Sequence, residues 1–202
     1  MVLDDWTEYI KQILNFAGHG YEYYCPVNIP TNKRDKAIQV DNKILEKYPS
    51  CKWNKDQRYK AKKANKANYA YIRWDLYGII LHTLGQELEC NDPDRFYHLR
   101  EKPYVIPVGE WLEIKISKAR TGKKYTAYMS KASYRNIKAL LCEYIEHRQW
   151  DAFIKHYYRL ENLPAFSGIL VQMDELYRFC RAEIKRYKAK VELRKLTLKK
   201  VF

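Results

Sequence analysis

A chain of 202 residues, 47% hydrophobic and with only seven Gly and seven Pro, is long enough for one domain and apolar enough for one core, which excludes a disordered or low-complexity protein. Lys and Arg number 38 against 24 acids, a formal net charge of +14, with 19 Tyr and five Trp beside them. No apolar run approaches the ~18–20 residues of a membrane span, and Met1-Val2-Leu3-Asp4-Asp5-Trp6 lacks the basic-then-apolar order of a secretory leader, so no membrane partner is expected.

Asp4 or Asp5 can cap a first helix reaching Phe16, with Trp6, Ile10, Ile13 and Leu14 at helical spacing, before Gly18-His19-Gly20 stops it. Residues 21–29 alternate and are aromatic, which predicts a strand ended by Pro30. A helix over 35–47 places Ile38, Ile44, Leu45 and Tyr48 on one side, and Pro49 breaks it. A short Lys- and Ala-rich helix over 54–65 follows. Residues 69–73 and 77–83 read as a β-hairpin, and 96–99, 104–108, 111–117 and 125–129 as short strands, with a hairpin tip at Thr121-Gly122-Lys123-Lys124. Ser130 caps a helix to about His147, a shorter one covers 150–159, and a long last helix spans 167–193.

This order predicts an α+β fold: a small, mainly antiparallel sheet over 69–129, N-terminal helices and a C-terminal helical subdomain. The expectation is a single domain over 1–202, open to subdivision into a nucleic-acid-binding part at 1–129 and a helical part at 130–202. Five scattered Cys (Cys25, Cys51, Cys90, Cys142 and Cys180) make no C-x-x-C pair, so they read as reduced thiols of a cytoplasmic protein.

The charge is segregated. Residues 52–68 balance to +6, 115–138 to +8 with no acid, and 178–200 to +8, leaving −8 for the remainder. Surfaces built only for solubility intersperse the signs, whereas sign-blocked surface suits a polyanion, because each neutralised phosphate releases counterions. Aromatic residues lie in or beside the blocks: Trp53, Tyr59, Tyr69, Tyr71, Trp74, Tyr125, Tyr128, Tyr134 and Tyr187. Exposed rings stack on unpaired bases. Tyr125 and Tyr128 have opposite parity on one strand, so at least one must face outward or pack under a neighbouring element. The expectation is a DNA- or RNA-binding protein whose phosphate contacts come from Lys60, Lys62, Lys63, Lys66, Arg73, Lys118, Arg120, Lys123, Lys124, Lys131 and Arg135. Basic Tyr-rich chains of this kind are common in mobile elements, replication and defence systems.

A second reading starts from Pro93-Asp94 and, further on, Trp111-Leu112-Glu113-Ile114-Lys115-Ile116. Over about 25 residues this resembles the PD-(D/E)xK nuclease signature. The resemblance implies Asp94 and Glu113 as ligands of a magnesium ion, Lys115 as the catalytic lysine, and Glu87 or Glu89 as a further ligand. Glu113 and Lys115, two apart on a strand, share a face. A third reading is a structural subunit docking on an RNA or an acidic protein, with a protein partner on the apolar tail Leu193, Leu196, Leu198, Val201 and Phe202. The five His form no H-x-H or H-E-x-x-H pattern, and Walker A, G-x-G-x-x-G and G-x-S-x-G are absent. Tyr157-Tyr158 beside His156 and Arg159 is the weakest hint of a nucleophile.

Overall fold

Helix α1 (Trp6–Gly18) begins where Asp5 can act as its cap: the carboxylate accepts the Thr7 N–H at 3.1 Å. Its inward residues Tyr9, Ile10 and Ile13 are fully buried. The computed structural model describes residues 1–86, 94–120, 122 and 124–201, and among these the fold is α+β, with six α-helices and two mainly antiparallel sheets. Glu87, Glu89, Cys90, Pro93, Thr121, Lys123 and Phe202 lie outside the described residues. The chain divides into two compact units, residues 1–104 with 116–125 and residues 105–115 with 126–202.

The first unit is built on a five-stranded sheet of β1 (Val2–Leu3), β2 (Tyr23–Asn28), β3 (Tyr69–Trp74), β4 (Tyr77–His82) and β5 (Tyr97–His98), in the order β1-β3-β4-β2-β5. Strand β1 runs parallel to β3 and the other pairs are antiparallel. The β3–β4 hairpin pairs Tyr69 with His82 and Trp74 with Tyr77, turning through Asp75 at φ +47°, a left-handed position that Asp tolerates. Both faces of β3 and β4 are buried, as befits near-continuous apolar runs. Helix α2 (Ala37–Lys47) packs Ile44, followed by Tyr48, against Tyr69, Tyr71 and Ile80 on one face. On the other parity, Trp74 meets the ring of Tyr9.

The inward stripe of α2 differs from the apolar side expected. Ala37, Asp41, Ile44 and Tyr48 face the sheet, and Ile38 is 69% exposed. The reason is that Asp41 occupies an inward position, which a search for apolar spacing passes over. Helix α3 (Lys55–Lys63) opens with a reciprocal capping box between Asn54 and Gln57 and buries only Ala61.

A three-stranded sheet follows in the order β6 (Tyr104–Val108), β7 (Leu112–Lys118) and β8 (Tyr125–Met129). The strands thus form two sheets, and the first draws on residues 2–3 and 23–28, upstream of the span 69–129 expected to carry the sheet. The second unit contains α4 (Lys131–Glu146), α5 (Trp150–Arg159) and α6 (Ser167–Arg186), with Leu141, Ile145, Phe153, Ile169, Met173, Leu176 and Cys180 buried among them. Helix α6 stops at Arg186, short of the Leu193 that periodicity predicts, because the Ala189 N–H turns back to the Ile184 carbonyl and Lys188 takes φ +52°.

Candidate nucleic-acid interface

In the first unit the surface centres on α3. With 100° per residue, Lys55, Tyr59, Lys62 and Lys63 lie on one face, opposite the buried Ala61. Tyr59 is 59% exposed, and the Lys63 ammonium sits 4.8 Å from its ring centroid. Lys60 and Lys66 flank this face and are also exposed. Among the described residues no carboxylate forms an ion pair with Lys55, Lys60, Lys62, Lys63 or Lys66. The lysines of the last turn also suit the negative end of the helix dipole, which accounts for the helix but not for the outward Tyr59.

The other basic residue of this helix has a different job. Arg58 donates to the Tyr21 hydroxyl at 2.7 Å and to the carbonyls of Trp53 and Cys51, tying α3 to the unit.

Arg73 is not a surface cation. It is 8% exposed, and its guanidinium donates through Nε and an Nη to the two oxygens of Asp41, each at 2.8 Å. Strand parity puts it on the α2 side of β3 with Tyr69 and Tyr71. Burial pushes the Asp41 carboxyl up, but hydrogen bonds from Arg73 and Tyr71 outweigh it and hold the group below its ordinary value.

The expected contacts of the second block fall into separate groups. Lys118 lies over the Tyr125 ring at 5.8 Å and donates to the Gly122 carbonyl. Arg120 and Lys124 are exposed near the hairpin tip, and Lys123 is outside the described residues. In the second unit Lys131 and Arg135 are exposed one turn apart on α4. Tyr128 is half-buried, with Lys115 at 5.8 Å from its ring and Gly168 of α6 packed on it, so it lies under a neighbouring element.

Glu113 and Lys115 do share a face of β7, while Leu112, Ile114 and Ile116 are buried. Asp94 belongs to the first unit, where it accepts from the Tyr48 hydroxyl at 2.6 Å and pairs with Lys47 at 3.0 Å. Glu113 belongs to the second, where Ser130 Oγ donates to its carboxylate at 2.8 Å. Among the described residues no group of three or more His, Cys, Asp or Glu is placed to hold a metal ion.

Burial raises the thiols of Cys25 and Cys51 to about 11 and that of Cys180 to about 12, values at which none is a thiolate near neutrality. Tyr157 is fully buried and donates to the Arg194 carbonyl at 3.2 Å, so it is a structural residue. The tail folds back on its own unit. Arg194 chelates Glu161, Thr197 N–H donates to the same carboxylate, Lys199 bridges to Pro164, and Leu198 is buried.

The second unit also holds a cavity of about 660 Å³, which residue patterns did not reveal. Trp111, Glu113, Asn136, Leu140, His156 and Arg159 are among its walls. A signal existed: Trp111 has the parity of Glu113 and Lys115, the outward face of β7.

No family model, no curated protein and no solved structure matches this chain. Among the described residues no helix is long and apolar enough to cross a membrane.

Proposed function

We propose that this protein binds nucleic acid, DNA or RNA, mainly through phosphate contacts from lysines, with exposed aromatic rings stacking on unpaired bases. The observation that carries the reading is the outward face of α3, where ammonium groups with no carboxylate partner among the described residues lie around the exposed ring of Tyr59. A solvated helix needs charge but gains nothing from a Tyr at the centre of its outer face; a strand of phosphates and unpaired bases uses both. Lys118, Arg120 and Lys124 near the hairpin tip, and Lys131 with Arg135 on α4, supply further cations in the same reading. The scattered thiols, raised by burial, suit a cytoplasmic setting.

Binding of labelled single- and double-stranded DNA and RNA across a salt series tests this. Tight binding with a linear log–log salt dependence is expected. The variant Lys60→Ala/Lys62→Ala/Lys63→Ala should flatten the slope by about 0.7–0.9 for each phosphate that is no longer neutralised. Weak binding that ignores salt overturns the reading.

A further inference from the structure

We infer that the cavity of the second unit receives one unstacked guanine base of a bound single strand. The inference rests on the nucleic-acid reading above and adds a specificity that phosphate contacts do not supply.

The walls come from the β6–β7 turn, β7, α4 and α5, and the volume of about 660 Å³ accommodates a nucleotide. Trp111 is 47% exposed and Leu140 is 37% exposed, so a large ring and an aliphatic side chain stand unfilled at the same cavity. A half-exposed indole beside Ile137, Leu140, Leu141 and Leu160, with polar groups set among them, is the composition of a ligand site, and a base is the flat partner an indole stacks on.

The polar groups select which base. Glu110 and Glu113 are acceptors only, so they favour a ligand edge that donates, while Asn136 and Arg159 can meet the ligand's acceptors. Guanine presents two adjacent donors on its pairing edge, the ring N–H and the exocyclic amine, which match the two oxygens of one carboxylate. Thymine and uracil present a single donor there. Asn136 supplies an amide that donates to the guanine carbonyl or ring nitrogen.

The Glu113 carboxylate is already oriented. Ser130 Oγ donates to it at 2.8 Å and also accepts the N–H of Ser133 as the cap of α4, while Ser133 Oγ accepts the Glu113 N–H at 2.9 Å. Such fixing lowers the ordering cost of binding. Arg159 lies 5.8 Å from the Trp111 ring and is exposed, a position from which its guanidinium serves the phosphate of the same nucleotide.

The experiment compares oligothymidylate with strands carrying one central guanine, adenine or cytosine, and the oligouridylate counterparts, by anisotropy on the full chain. One guanine should tighten binding about tenfold, with adenine and cytosine in between. Glu113→Gln should remove the guanine advantage, so that the guanine strand binds no more tightly than the homopolymer. Trp111→Ala, at an exposed position, should weaken the guanine strand by about tenfold with the circular dichroism spectrum intact. If the homopolymer binds and guanine adds nothing, the pocket assignment fails while the nucleic-acid reading stands. If no strand binds even at low salt, the parent reading fails and takes the pocket with it. If the advantage survives Glu113→Gln, the carboxylate is not the reader and the inference is overturned.

Discussion

Arg73 and Asp41 form a two-point ion pair, Nε to Oδ1 and Nη to Oδ2 at 2.8 Å each, with side chains 10% and 11% exposed. Tyr71 donates to the same carboxylate at 2.7 Å, and Arg73 also donates to the Asp75 carbonyl. One inward acid on α2 is thereby satisfied by two residues of β3, which fixes the helix on the sheet. Removing one member strands a charge in the interior, while removing both does not. Arg73→Met should therefore cost about 3 kcal/mol in chemical denaturation, near the low end for buried pairs since the pair keeps some exposure. Arg73→Met/Asp41→Asn should recover part of that loss. Each variant that folds should keep the wild-type salt slope in nucleic-acid binding.

The depressed native pKa of Asp41 gives stability that is fully present above the ordinary carboxyl value of 3.8 and is lost as pH falls through the lower native value. Denaturation midpoints taken downward from pH 5 should fall for the wild type, and less steeply for Asp41→Asn. Parallel acid limbs in the two proteins would count against the pair as the source.

Gly168 sits where α6 passes β8. A Cβ there would strike the Ala127 carbonyl and come within 2.7 Å of the Tyr128 ring. The neighbours are backbone and a packed ring, so they yield little. Gly168→Ala should cost about 1–3 kcal/mol despite better helix propensity, measured by thermal denaturation.

Leu198 is buried and holds the tail against the second unit, assisted by the bridge from Pro164 to Lys199. Leu198→Ala should destabilise by about 2 kcal/mol and expose 189–201 to proteolysis. A tail that docked only on a partner would show neither effect. The surface pair of Arg194 with Glu161 contributes less, since Arg194 is largely exposed and water screens it.

Tyr59→Ala should weaken binding to single strands by about 1–3 kcal/mol while leaving the salt slope unchanged, because the ring stacks and carries no charge. An equal loss on single and double strands would argue that the ring acts through Lys63 and not through a base.

The sequence by itself determined the fold class and most of the elements, but not β1 or the end of α6. Asp5, Asn54 and Ser130 are caps whose side chains bond backbone two or three residues away, so helix starts are local chemistry. The alternation in β7 likewise put Glu113 and Lys115 on one face, because side-chain parity on a strand needs no partner. The block charges were legible for the same reason: α3 buries one residue, so its composition is its surface. Tertiary structure alone decided which cations stay outside. Arg73 and Lys60 look alike in the chain, but one lies on a strand covered on both faces and meets Asp41, and the other lies exposed on a helix. It also decided the split into two sheets, since pairing β1 and β2 with strands some fifty to seventy residues away is a long-range choice. The cavity beside Trp111 belongs to the same class: its walls come from a turn, a strand and two helices, and only their packing makes them neighbours.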